Sequence, residues 1–228
     1  MAVVLITGAN RGIGLALVKA YAGQRDRVIA CVRATSDRDA LDAVAAASPK
    51  WVEILEMDVS DPAEIGRARR HLEAEPIDIL INNAGIGGPE HQSATNMDFD
   101  GLQEAFTINT IAPLRVANAF LPNVKAAKGK IVTLSSQMGS NGASADNLAY
   151  RASKQALNRL MRGLATELKP QGIPVLIVHP GWVKTDMGGE GAQLSPEESA
   201  AQLVKLIDKI DAASTGKFLA WNGKELAW

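Results

Sequence analysis

Short, nearly unbroken apolar runs alternate along this chain with longer segments of helical periodicity. The apolar runs cover residues 3–7, 27–32, 52–57, 77–81, 130–134, 173–178 and 217–220. Each is rich in Val, Ile or Leu, the pattern of strands buried on both faces. Helical patterns fill residues 12–22, 37–47, 61–74, 99–127, 147–169 and 196–211. This alternation predicts an α/β fold: a seven-stranded parallel sheet, doubly wound by right-handed crossovers, with helices on both faces. No break in composition divides the 228 residues, so one domain over 1–228 is expected.

Charge and cysteine content narrow the setting. With 24 Lys and Arg against 25 Asp and Glu, the net charge of −1 creates no field for nucleic acid or an anionic membrane. The lone cysteine, Cys31, allows no intrachain disulfide and lies in the apolar run "VIACV", where it reads as a small core residue. The first residues lack a basic region and a cleavage site, and no apolar run approaches the roughly 18 residues of a membrane span. A cytoplasmic protein is expected. His71, His91 and His179 have no metal-ligand spacing, so no metal site is expected. No G-x-S-x-G elbow is present, which argues against a serine hydrolase.

The first apolar run leads into "TGANRGIG", residues 7–14. Gly8, Gly12 and Gly14 permit a tight turn between strand and helix. Together with Asn10, Arg11 and Ile13 they would bring backbone close to a pyrophosphate at a helix N-terminus. An ordinary glycine-rich turn is the alternative. The second run ends at Arg33, where an NAD site would place a carboxylate for the ribose hydroxyls. Arg33 and Arg11 suit the 2′-phosphate of NADP(H), which is favoured over NAD(H). Two surface arginines are the alternative, and Asp37 is the nearest acid.

Tyr150 stands four residues before Lys154 in "NLAYRASKQALNRL". That spacing puts phenol and ammonium on one helical face. A nearby cation favours the phenolate, so the pair predicts a tyrosine pulled below its usual value of about 10 and tuned for proton transfer. Pro113, four residues after Asn109, lacks the N–H that would bond the Asn109 carbonyl. That carbonyl is expected to lack a helical partner, with the helix bending there. A helix beginning nearer Pro113 is the alternative. Ser195, Pro196 and Glu198 form a capping-box signature, and the glycine-rich segment 187–194 before it reads as a mobile loop.

These motifs together resemble the short-chain dehydrogenase/reductase family over nearly the whole chain. The resemblance rests on "TGANRGIG", Asp58–Val59, "NNAG" at 82–85, Asn109, Ser135–Ser136, "YRASK" at 150–154 and "HPGWVKT" at 179–185. The short chain, "HPGWVKTDM" and "WNGKELAW" are most similar to its C-factor-like and sniffer-like carbonyl reductase branch. The family implies a Rossmann domain that transfers hydride between a nicotinamide cofactor and a small carbonyl or secondary alcohol. It implies Tyr150 as acid/base and Lys154 as the group that lowers its pKa and meets the nicotinamide ribose. Ser136 would hold the substrate oxygen, and Asn109 would fix a water linking Lys154 to solvent. Asp58, beside Val59, would meet the adenine. Asn82, Asn83, Ala84 and Gly85 would line the cofactor, with Pro180, Gly181, Val183 and Thr185 at its carboxamide end. The family often dimerises through the two long helices, so a homodimer is expected.

Ser136 and Tyr150 are fourteen residues apart, whereas the family usually has thirteen. The loop between them is read as one residue longer, with Ser135 as the reserve serine and Ser140 as a loop residue. Met138, Trp182 and Met187 form a candidate apolar substrate wall, with ordinary packing as the alternative. The 187–194 loop would lie over the substrate as a lid. Trp221 and Trp228 are read as anchors on the body. Two rival readings stand: a C-factor-like signalling protein whose redox activity is secondary, and an epimerase or dehydratase on the same scaffold.

Overall fold

The computed structural model describes residues 1–140, 142 and 144–228. The first half alternates β1 (Val3–Thr7), α1 (Gly12–Gly23), β2 (Arg27–Val32), α2 (Asp39–Ala47), β3 (Val52–Glu56), α3 (Pro62–His71) and β4 (Ile79–Asn82). A two-stranded antiparallel hairpin, β5 (Gln92–Ser93) and β6 (Asn96–Met97), precedes α4 (Phe99–Phe106). Then come α5 (Ala112–Ala127), β7 (Lys130–Leu134), α6 (Leu148–Leu168), β8 (Val175–His179), α7 (Pro196–Asp208) and β9 (Phe218–Ala220). The seven long-range strands form one parallel sheet in the order β3-β2-β1-β4-β7-β8-β9. The doubly wound Rossmann-like sheet expected from the sequence is therefore present. The hairpin was not foreseen.

The continuous apolarity of the strands has a direct cause. Successive side chains point to opposite faces, and both faces are covered. Val4, Ile6, Ile81 and Val178 join α1 and α7 in one core. Leu5, Leu80, Ile131 and Ile177 join α3, α5 and α6 in the other. Cys31 is fully buried in this second core, as expected. Trp221 packs against the first core, and Trp228 against the second. Trp228 lies 5.6 Å from the Phe218 ring and beneath Arg162, 4.7 Å from its ring centroid, so both tryptophans anchor on the body.

The segment 99–127 is not a uniform helix. Between α4 and α5, Thr107–Ile111 forms a π turn, in which Ala112 N–H reaches back five residues to the Thr107 carbonyl. The irregularity expected from Pro113 thus takes the form of a widened turn, a feature common at functional sites. The helix begins at Phe99, well before Pro113, with Asp98 accepting from Gly101 N–H at 3.0 Å. The Ser195 capping box is present: Glu198 N–H donates to Ser195 Oγ at 3.1 Å, and Ser195 N–H to Glu198 Oε2 at 2.8 Å. No helix among the described residues is long and apolar enough to cross a membrane.

Candidate active site

The strand order reverses between β1 and β4, parallel neighbours from which the two halves wind outward. A crevice opens at the carboxyl ends of such strands. Here it is built from Thr7, whose Oγ1 accepts the N–H groups of Asn83 and Ala84, both at 3.1 Å. Asn83 Nδ2 returns bonds to the carbonyls of Thr7 and Gly8, at 2.8 and 2.9 Å. The Asn83 side chain therefore braces the glycine turn. Gly8 has φ 65°, and a Cβ there would stand 2.9 Å from Ala84 Cα. Gly14 is tighter: a Cβ would lie 2.1 Å from the Gly8 carbonyl oxygen and 2.6 Å from Asn83 Nδ2. Gly14→Ala is expected to destabilise the protein by about 2 kcal/mol, seen as a fall of roughly 4–8 °C in the Tm of thermal unfolding.

Helix α1 starts at this turn without a side-chain cap and without an acidic residue in its first turn. Its free N–H groups and positive dipole end are left for an anion. The groove in front has a volume of about 430 Å³. Of the residues expected from the sequence, its lining includes Gly8, Asn10, Arg11, Gly12, Ile13, Gly14, Arg33, Asp58, Val59, Asn83, Ala84, Gly85, Tyr150, Lys154, Pro180, Thr185 and Met187. Arg11, Arg33, Lys154 and Lys184 outnumber Asp58 and Asp186 in that lining, a balance suited to phosphate groups.

The two arginines differ. Arg11 pairs with Asp186 across the groove, an exposed contact of little intrinsic strength. Arg33 is exposed at the rim and forms no ion pair among the described residues. Asp58 Oδ1 accepts from the backbone and hydroxyl of Ser60, at 2.8 and 2.7 Å. Ser36 and Lys184 line the groove but were not among the expected residues. Lys184 was within reach, since it stands inside the quoted "HPGWVKT".

Tyr150 and Lys154 meet at the other part of this groove, on the first turns of α6. Lys154 is 5% exposed, and Nζ donates to the Leu134 carbonyl at 3.0 Å. Burial pulls its ammonium down to about 8. Tyr150 shares a hydrogen bond with Ser136 that favours the phenolate, but burial outweighs it and holds the phenol above its ordinary value. This corrects the expectation of a lowered tyrosine pKa. The Lys154 ammonium sits 5.9 Å from the ring centroid and is turned to Leu134, while loss of water acts on the whole phenol.

The two serines differ in their partners, and Ser135 is the one that lines the groove. Ser135 Oγ is committed to Asn158 at 2.5 Å, while Ser136 Oγ accepts from Met138 N–H at 3.1 Å and reaches Tyr150. Residues 141 and 143 of the following loop, where an extra residue was inferred, lie outside the described residues. Ser140 Oγ donates to the Ala227 carbonyl at 2.7 Å. Asn109 is fully buried. Its Oδ1 accepts Ile86 N–H at 2.8 Å, and its Nδ2 donates to Ile86 O at 2.8 Å and Ser153 Oγ at 3.0 Å. Gly85 separates it from the lysine: a Cβ there would lie 3.0 Å from Asn109 Oδ1 and 3.5 Å from Lys154 Nζ.

Segment 181–194 has more structure than its glycines suggest. Leu194 N–H donates to Trp182 O at 3.1 Å and Lys184 N–H to Leu194 O at 2.8 Å, closing its base by the Val183–Leu194 bridge. Trp182 is 54% exposed and donates Nε1–H to Gly188 O at 2.8 Å, inside its own loop. Of the expected apolar wall only Met187 lines the groove. Met138, Trp182, Gly181, Val183, Ser136 and Asn109 stand outside that lining. His179 Nδ1 is buried without a partner among the described residues, and burial pulls the ring down to about 4.

Comparison with known proteins places the chain in a family. Residues 2–194 match the family model for short chain dehydrogenase. The C-signal of Myxococcus xanthus is 39% identical over 156 residues, 67% of this chain and 93% of that protein. The NADPH-bound carbonyl reductase from chicken fatty liver is 35% identical, with a TM-score of 0.91 over 100% of this chain and 99% of its own. The carbonyl reductase Sniffer of D. melanogaster is 33% identical, with a TM-score of 0.93 over 100% of both chains. The turn, the groove and the tyrosine–lysine helix thus sit in a chain that belongs to the short chain dehydrogenase family of NAD(P)-dependent oxidoreductases.

Proposed function

We propose that this protein is an NADP(H)-dependent carbonyl reductase, acting as one domain over residues 1–228, that interconverts small ketones or aldehydes with alcohols. The observation that carries the reading is a single groove joining the glycine turn and Arg33 to Tyr150 and Lys154. The tight backbone at Gly8 and Gly14 and the uncapped start of α1 fit a pyrophosphate. Arg33 and Arg11 would hold the 2′-phosphate, with Arg11 exchanging Asp186 for it. Asp58 and Val59 would meet the adenine. Asn82, Asn83, Ala84 and Gly85 would line the middle, and Pro180, Gly181, Val183 and Thr185 the carboxamide. When bound, the nicotinamide supplies or accepts the hydride.

Tyr150 donates the proton to the substrate oxygen, which Ser136 holds from the other side. A phenol kept above its ordinary value by burial is protonated at neutral pH, the form a reduction needs. Lys154 stabilises the phenolate left behind and then returns a proton to it. The Asn109 side chain is engaged with Ile86 and Ser153, so we assign to its backbone carbonyl the water that reprotonates Lys154. Met187 would form the substrate side, with Met138 and Trp182 beyond the groove lining and segment 187–194 as its cover. Phe99, Ile111 and Leu160 on α4, the π turn and α6 are exposed, and would lie at the contact of a homodimer. The unpaired, buried Cys31 accords with a cytoplasmic location.

The deciding experiment is a fluorescence titration with NADPH and NADH, for wild type and Arg33→Ala. NADPH affinity is expected to fall about 10–30-fold in the variant, the loss of a charge-assisted contact, with NADH affinity nearly unchanged. Equal loss for both cofactors would remove Arg33 from the 2′-phosphate site. A second reading, a signalling protein whose redox activity is secondary, is favoured by the similarity to C-signal.

A further inference from the structure

We propose that Gln92 is a positioning residue for Tyr150, capping the start of α6 from another part of the fold. The inference rests on the acid/base role assigned to Tyr150 above. Helix α6 begins poorly on its own. Asn147 at its N-cap is left-handed, with φ 50°, and gives no side-chain bond to the first turn. The helical ladder opens with Arg151 N–H on the Asn147 carbonyl at 2.9 Å. Tyr150 N–H therefore falls among the donors that a helix cannot satisfy internally. Gln92 Oε1 accepts it at 3.1 Å, from 58 positions earlier in the chain.

The same amide faces the groove wall. Gln92 Nε2 donates to Gly87 O at 3.2 Å and to Pro89 O at 2.9 Å. These carbonyls follow Gly85 and Ile86, which line the groove. One planar group thus fixes the first turn of the tyrosine helix relative to the strand-β4 loop. Helix ends fray, and Tyr150 stands within that end, so the aim of its phenol depends on the turn staying closed. A displacement of about 1 Å at a reacting group can lower a rate by roughly a hundredfold.

The test is Gln92→Met, which keeps the volume and removes both bonding functions, beside Gln92→Glu, which keeps the acceptor for Tyr150 N–H. Gln92→Ala serves as a second removal variant should the methionine protein fail to fold. Exchange of the Tyr150 amide, followed by NMR, is expected to be about tenfold faster in the removal variant and restored towards wild type in Gln92→Glu. The kcat for carbonyl reduction is expected to fall about tenfold in the removal variant, with the Kd for NADPH within about threefold. Wild-type exchange at Tyr150, or faster exchange with unchanged kcat, in a folded removal variant would overturn the proposal. Failure of the wild-type protein to reduce any carbonyl with NADPH would instead count against the function proposed above. The amide exchange would still decide whether Gln92 caps the helix.

Discussion

Tyr150→Phe is expected to lower kcat for carbonyl reduction by about a thousandfold while leaving the Kd for NADPH within about twofold. Phenylalanine keeps the ring and its packing and removes only the hydroxyl that meets Ser136. A phenol is protonated at neutral pH with or without burial, and burial makes this one a weaker acid, so its donation relies on Lys154 to stabilise the phenolate. Ser136 cannot substitute, because an unactivated alcohol is far too weak an acid. Lys154 is turned to the Leu134 carbonyl, 3.0 Å away. The measurement is NADPH oxidation under saturating carbonyl substrate, with the cofactor Kd taken separately. A variant retaining more than about a tenth of wild-type kcat would move the acid to another group. The same variant separates the two readings of function. A reductase loses its turnover, whereas a signalling protein keeps its biological output.

Much of this was legible in the sequence, for physical reasons that differ by region. The strands could be placed to within about two residues because burial on both faces demands unbroken apolar runs bounded by turns. Tyr150 and Lys154 could be paired because helical spacing alone puts them on one face. The direction of the tyrosine shift could not be read, since desolvation depends on what the fold packs around the phenol. The strand position favours Ser136 in the sequence, but nothing there reveals that the Asn158 side chain holds Ser135. Pro113 announced an irregular helix without saying that it would be a π turn. The glycines of segment 187–194 carry no pattern that would reveal the bonds between Trp182, Lys184 and Leu194 that close its base. Arg11 meets a partner 175 positions away, and Gln92 lies on a two-residue strand with no period to reveal it.

Lys154→Met is expected to make the protein more stable and nearly inactive. Keeping an ammonium in a fully enclosed site is costly, which is why its pKa falls from 10.5 to about 8. The unfolded chain then binds more protons than the folded one between about pH 8 and 10.5, so wild-type stability rises with pH across that window. At pH 7 the full cost is present, about 3 kcal/mol, offset by about 1 kcal/mol from the bond to the Leu134 carbonyl. Methionine removes both, and a net gain of about 2 kcal/mol corresponds to roughly 4–8 °C in Tm. By pH 10.5 the folded lysine is neutral and the unfolded one only half protonated, so most of the gain should be lost. Catalysis should move the other way, because a phenolate formed at Tyr150 loses its neighbouring cation. Wild-type kcat is accordingly expected to decline above about pH 8, where that cation is titrated away. Thermal unfolding of both proteins at pH 7 and 10, run beside turnover, checks the argument. A methionine variant less stable than wild type at pH 7 would mean that the Leu134 contact outweighs desolvation. Lys154 would then be a residue the fold requires, rather than one it tolerates for its chemistry.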